Sequence, residues 1–416
     1  MPNGFLFDVR VIELGDEKGE FCGKLFAGAG ADVIKIEPPG GSASRSIGPF
    51  YHDQPHPDRS LYFWHYNLGK RGVTLDIGKP QSGEALRKLI GGATVLLDSS
   101  PLDTLENLGL NWEALQKLNP GLVYVRITPF GRSGPWRDLK ATDLVHLALG
   151  GEMMLCGYDP KPDGAYDTAP IAPQMWHAWQ ITGNQAFIAG LGALIARAET
   201  GAGDMIDIPV HHAVSVCTEV DIPYWVYTHT ACKRQTGRHA FTTIGPPSQH
   251  KGPGGRYSNV VANPFPGGRE VMIAFLTELG KAGDLTSDKY KDPASLQGFE
   301  FIHHFAQVQA DAVASFGHEE VWRKAQDRGI PWVPVRHPEE NLDDEQWQIR
   351  GTFGDVHHPE LGETLRYGIA PTRAEECPWR MGPRAPLVGE HNEAVFCGEL
   401  GVSREELRTL KESGVI

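Results

Sequence analysis

Along the first 150 residues, short runs of apolar positions alternate with segments whose apolar residues recur at helical spacing. "VRVIEL" at 9–14 is the first apolar run, and "GAGADVIKIE" returns to a second strand at 32–37. "SGEALRKLIGG" predicts a helix leading into the strand "ATVLLD". "NWEALQKLNPG" predicts another helix, capped by Asn111, before the strand "LVYVRIT". Near-continuous apolar strands separated by helices imply a parallel sheet covered on both faces. Further on, 181–199 predicts a helix closed by Gly201, with Gly190 and Gly192 allowing close packing, and "DMIDIPV" follows as a strand.

From 225 the composition shifts to Gly, Pro, Ser and Thr, with a strand expected at "EVMIAF". This predicts a smaller α+β domain over 225–330, between a large α/β domain begun by 1–215 and completed by 331–416. The tail opens with Ser403 and Glu406 at capping-box spacing.

Net charge is −13, from 39 basic and 52 acidic residues, which argues against nucleic acid as the partner. No apolar run approaches the roughly 18–20 residues needed to span a bilayer. The start, "MPNGFLFDVRVIELG", reads as lacking a signal peptide, and the six scattered cysteines read as free thiols in a reducing cytoplasm.

The chemistry-bearing motifs are few. The first strand-to-helix turn, "LGDEKGEFCG", lacks G-x-G-x-x-G and places Asp16 and Glu17 where a pyrophosphate would lie, which argues against NAD or FAD. The pairs His211–His212, His303–His304 and His357–His358 cannot share a helix face as metal ligands at i, i+4 do, so no metal is expected. "GPGGRYSN" at 252–259 is a glycine-rich loop that on its own reads as a hairpin. The window "APQMWHAWQITGNQAF" at 172–187 is unusual because no acid falls between Asp167 and Glu199.

"GAGADVIKIEPPGG", "NLGKRGVTLDIGKPQSGEALRKLI", "LGLNWEALQKLNPGLVYVRITPFGRSGPW", "RAETGAGDMIDIPVHHA" and "APLVGEHN" together resemble the family III CoA-transferases, of the formyl-CoA and carnitine CoA-transferase group. The resemblance covers essentially the whole chain. It implies a Rossmann-like large domain from both chain ends, a small middle domain and an interlocked dimer. It also implies a carboxylate nucleophile that attacks an acyl-CoA thioester, with coenzyme A thioester as substrate and no covalently bound cofactor.

Carried over residue by residue, the resemblance puts the nucleophilic aspartate at Trp179, four residues before Gly183 in "WQITG". An indole cannot form the mixed anhydride. Three further positions depart from the family: its active-site glutamine corresponds to Glu17, an adenine-flanking aromatic to Ser100, and an arginine to Asn107. The basic residue after "VIKIE" is Pro38. Retained are Lys70, Arg71, Leu75 and Lys140 as CoA-binding candidates. Tyr62 and the loop glycines Gly252, Gly254 and Gly255 remain as substrate-loop candidates, and an acid remains at Asp143.

Three readings follow. The chain is the non-catalytic subunit of a heteromeric transferase of the benzylsuccinate type, with Trp176 and Trp179 filling a vacated pocket and a homologous chain, or itself, as partner. Alternatively it is active through Glu17 or Asp143. Racemase-like chemistry is least favoured, because the resemblance places its histidine at Thr142 and its aspartate again at Trp179. His177 takes no role.

Overall fold

The computed structural model describes residues 4–218, 220–261, 267–296, 298–368 and 371–416. The chain divides into two compact units: 1–152, 173–217 and 343–416 form one, and 153–172 with 218–342 the other.

In the larger unit, β1 (Arg10–Leu14) leads through α1 (Glu17–Gly28) to β2 (Asp32–Glu37), and α2 (Leu61–Tyr66) to β3 (Arg71–Thr74). α3 (Gly83–Gly91) precedes β4 (Val95–Asp98), and α4 (Thr104–Asn107) and α5 (Trp112–Leu118) precede β5 (Val123–Thr128). α6 (Asp143–Leu149), α7 (His177–Thr200), β6 (Met205–Pro209) and α8 (Val210–Ser215) complete this stretch. The six strands pair in parallel in the order β3-β2-β1-β4-β5-β6. β4 and β5 are buried along their whole length, as strands covered by helices on both faces must be.

Strands expected at 9–14, 32–37, 93–98, 122–128 and 204–210 coincide with β1, β2, β4, β5 and β6 to within two residues. β3 carries only one large apolar side chain, Val73, so its sequence holds no strand signal; pairing with β2 makes it a strand. α7 lies close along α1 because two of its residues have no side chain. A Cβ on Gly183 would sit 2.9 Å from Phe21 Cδ1, and one on Gly190 3.0 Å from Phe26 Cζ. Gly192 faces open space instead, and closes no helix contact.

The smaller unit holds α9 (Asp221–Thr228), β7 (Gln249–Lys251), β8 (Tyr257–Val260), α10 (Gly268–Glu278), α11 (Phe299–Val313), α12 (Trp322–Gln326) and β9 (Trp332–Pro334). Its strands form an antiparallel sheet in the order β7-β8-β9. "EVMIAF", expected as a strand, lies inside α10. The buried residues there are Gly268, Met272, Phe275 and Leu276, a helical spacing that overrides the β-prone composition. Because β9 pairs with β8, the chain stays in this unit to 342, where the sequence reading has it leave at 330.

The chain then returns to the larger unit through α13 (Glu345–Ile349), the hairpin of β10 (Phe353–His358) and β11 (Glu363–Gly368), and α14 (Arg404–Glu412). Ser403 caps α14 by accepting from Glu406 N at 3.1 Å. Val395, Phe396, Leu407, Val415 and Ile416 join Ile34, Ile36 and Val73 in one core. Among the described residues no helix is long and apolar enough to cross a membrane.

Candidate active site

The strand order reverses between β1 and β4, so the loops at their carboxyl ends diverge and open the crevice where α/β sheets place their ligands. After β1 the chain turns at Gly15, whose φ of +122° suits glycine and whose missing Cβ would meet Ser100 N at 2.5 Å. Asp16 then caps α1, accepting from Lys18 N at 3.2 Å. Glu17 is the first residue of that helix, and burial, reinforced by the Asp16 charge, raises its carboxyl above the usual range. Ser100 turns inward: its hydroxyl and its N–H both donate to Asp98 Oδ1, at 2.6 and 2.8 Å.

Trp179 sits in the first turn of α7, which begins at His177, four residues before the expected start at 181. The helix has no local cap. Instead Asp143, from the start of α6, accepts from Ala178 N at 2.8 Å, and the N–H groups of Trp179 and Trp176 also bond this carboxylate. Burial nevertheless leaves the Asp143 carboxyl raised, which those three donors only moderate. Trp176 holds φ +67°, a left-handed conformation rarely adopted by a bulky side chain, and its ring lies 4.9 Å from Tyr62.

Trp179 is 2% exposed and meets the His146 ring edge-on at 5.6 Å; Phe130 covers the other side of His146 at 5.1 Å. Among the described residues neither Trp179 Nε1 nor either His146 nitrogen has a hydrogen-bond partner. Burial, with smaller contributions from His211 and Lys18, pushes the His146 imidazole down to about 4. The wall so formed offers an N–H donor and a neutral imidazole, and no nucleophilic oxygen.

The imidazole has a lower pKa here than its ordinary 6.5. Its neutral form therefore contributes stability that is fully present above pH 6.5 and is lost as pH falls through about 4. Exchanging His146 for Phe should shrink the stability difference between pH 7 and pH 4 by up to about 3 kcal/mol, measured from urea midpoints at both values. An unchanged difference would mean that the ring is solvated at low pH without cost.

The other candidates are divided. Tyr62 is buried on α2 beside Tyr66, ring centroids 4.6 Å apart, and Tyr66 OH accepts from Gln180 Nε2 at 2.8 Å. Burial raises the Tyr62 hydroxyl far above its normal range. Tyr62, Asp143 and Trp179 thus come together around the first turn of α7.

Lys70, Arg71 and Leu75 gather instead around β3 and the interior. Lys70 is fully buried; its ammonium forms an ion pair with Glu13 Oε2 at 2.7 Å and donates to Asn67 Oδ1 at 2.8 Å and to the Glu20 carbonyl at 2.9 Å. Lys35 meets Glu13 and Glu20, both at 3.0 Å, completing a buried quartet of two acids and two bases. That arrangement corrects the expectation for Lys70, whose charge is spent inside the protein. Leu75 is likewise 2% exposed within the core. Arg71 is half-buried and holds Asp32 through Nε at 2.8 Å, and it also pairs with Glu399. Lys140 is exposed after β5.

Gly252, Gly254 and Gly255 lie in the smaller unit, in the β7–β8 connection, where Gly254 and Gly255 take φ +68° and +77°. Sequence reasoning missed His146 and Phe130, because "LVHLAL" and "PFG" carry no sign that they meet Trp179. Among the described residues no three His, Cys, Asp or Glu side chains converge as a metal site.

Comparison with known proteins bears on the whole chain. The sequence profile of CoA-transferase family III matches residues 6–392. The succinyl-CoA:(R)-benzylsuccinate CoA-transferase subunit BbsE of Thauera aromatica is 29% identical over 413 residues, covering 98% of this chain and 97% of its own. Succinyl-CoA–D-citramalate CoA-transferase of Chloroflexus aurantiacus is 28% identical over 420 residues, 99% of this chain and 98% of the relative. Formyl-CoA:oxalate CoA-transferase of Streptomyces coelicolor is 29% identical over 423 residues, 98% of each. A CAIB/BAIF family protein from Brucella suis has the same fold, with a TM-score of 0.79 at 24% identity over 95% of this chain and 99% of that one.

Proposed function

The chain belongs to CoA-transferase family III, and on that premise we propose that it is the non-catalytic subunit of a heteromeric enzyme that moves CoA between carboxylic acids. Members of the family act on acyl-CoA thioesters without a covalently bound cofactor. The family chemistry requires a carboxylate oxygen to attack the thioester carbonyl and expel the CoA thiolate.

One observation carries the reading. At the position the resemblance assigns to that carboxylate stands Trp179, 2% exposed and packed on His146. The neighbouring acid, Asp143, is engaged in capping α7, so its oxygen is tied to the backbone of the helix that would have carried the nucleophile. Relatives named as subunits make an unlike partner a reasonable setting: the benzylsuccinate enzyme's BbsE, and the β and α subunits of the malate enzyme of C. aurantiacus, 27% and 24% identical to this chain. In this reading a homologous chain supplies the carboxylate, the acyl-CoA and small acids are shared substrates, and the assembly works in the cytoplasm.

A second reading retains activity in this chain through Glu17 or Asp143. Its support is that burial raises both carboxyls, and a raised carboxyl often marks a functional site. The test co-expresses the chain with a family III homologue that carries an aspartate at the position of Trp179, adds succinyl-CoA, and traps the acyl-enzyme with hydroxylamine. A hydroxamate on the partner alone is expected. A hydroxamate on this chain that disappears in Glu17→Gln or Asp143→Asn would establish the second reading.

A further inference from the structure

The larger unit contains a cavity of about 650 Å³, lined by Phe21, Phe187, Leu191, Trp347, Phe353 and Trp379 among others, and, among the described residues, by one lysine, Lys24. Lys24 projects from α1 and is only 7% exposed. Its Nζ lies 3.1 Å from His65 Nε2 on α2. Among the described residues no carboxylate lies within ion-pairing distance of that Nζ.

The reason is visible next door. Glu13 and Glu20 already face Lys35 and Lys70, two charges of each sign in one buried quartet, so no negative charge is left for a third cation. Desolvation pushes the Lys24 ammonium down to about 7, and the Lys70 charge adds to the effect. Burial, then the Lys24 charge, holds the His65 imidazole in its neutral form. A lysine in an apolar cavity, hydrogen-bonded to a neutral imidazole and lacking a counter-ion, is held in good part as the uncharged amine near neutral pH.

We propose that Lys24 is a nucleophilic amine that takes an acyl group from an acyl-CoA thioester whose acyl chain enters this cavity. The amine nitrogen attacks the thioester carbonyl, the C–N bond forms as the C–S bond breaks, and CoA leaves as thiolate. The amine proton passes to the departing thiolate, while the neutral His65 imidazole holds the amine in place, so the products are an amide on Lys24 and CoA thiol, with no change of oxidation state. The choice of donor rests on the family's use of acyl-CoA; the reactive amine does not. The amide is stable, so this is a modification of the chain, distinct from turnover at a carboxylate.

At pH 7 about half of such an amine is unprotonated, against roughly 1 in 3,000 for an ordinary lysine. Intrinsic nucleophilicity falls as pKa falls, by analogy with thiols, so the net gain in rate is of order tenfold or somewhat more. The test incubates the intact protein with hexanoyl-CoA at pH 7 and, in parallel, with the N-hydroxysuccinimide ester of acetic acid. Peptide mapping then compares Lys24 with the exposed Lys88 and Lys117 of the same molecules, so no variant need fold.

Hexanoylation of Lys24 at least tenfold faster than of Lys88 and Lys117, with a rate that levels off near pH 8, is the expected result. Rapid labelling by the ester without hexanoylation would overturn the thioester as donor and leave the family assignment intact. Labelling no faster than at Lys88 with either reagent would overturn the nucleophile itself.

Discussion

Trp179→Ala is expected to lower the stability of the larger unit by about 3–5 kcal/mol, the range for removing a buried aromatic from a packed core. Trp179 is 2% exposed, with His146 edge-on against it and Phe130 tilted against His146, so truncation leaves a hole that the first turn of α7 cannot close. That turn is held from α6 through Asp143, which further limits collapse. Trp179→Phe should cost less, about 1.5 kcal/mol or below, because it keeps a ring and removes an Nε1 that has no partner among the described residues. Urea unfolding of the three proteins gives both values. A loss under 1 kcal/mol for the alanine variant would mean that the indole borders an open pocket, and that the site has kept room for a ligand.

The second large effect is expected at Gly23. In the interior of a helix, glycine to alanine ordinarily stabilises by up to about 1 kcal/mol. At Gly23 the sign should reverse, with a loss of about 3 kcal/mol or more. A Cβ there would lie 1.8 Å from Glu13 Oε2 and 2.8 Å from Lys70 Nζ, and so must drive apart a buried ion pair. Gly192→Ala is the matched control: its added Cβ meets nothing within 4 Å, and it should stabilise by about 0.5–1 kcal/mol. Opposite signs for the two substitutions, read from melting curves, would confirm that the quartet leaves no space at Gly23.

These contrasts indicate how much of the molecule could be read from the chain. The rhythm of β1, β2, β4 and β5 was legible because strands buried on both faces are mostly apolar, a local signal that survives the buried Glu13, Lys35, Asp98 and Arg126. β3 was not, since "RGVT" becomes a strand only through its pairing with β2. α10 was misread because its apolar residues are β-prone in composition while their burial follows helical spacing. The start of α7 was placed four residues late for a non-local reason: its capping carboxylate, Asp143, is 35 residues away from Ala178. At the site, the family resemblance singled out Trp179, and nothing in the sequence pointed to His146, the ring it packs against. The same holds for Lys70 and Lys24. Nothing in the local sequence tells the two lysines apart, and only the three-dimensional pairing of Glu13, Glu20 and Lys35 assigns a counter-charge to one and none to the other.

If packing has taken the place of the nucleophile, the isolated chain carries none of its family's carboxylate chemistry. The most direct test treats the isolated chain with succinyl-CoA and then hydroxylamine, and maps the products by mass spectrometry. An acyl group on Lys24 would be an amide that resists hydroxylamine, so the two chemistries remain separable. No hydroxamate on any aspartate or glutamate of the isolated chain is the predicted result. A hydroxamate on Glu17, Asp143 or any other carboxylate would contradict the account and make the chain an active transferase in its own right.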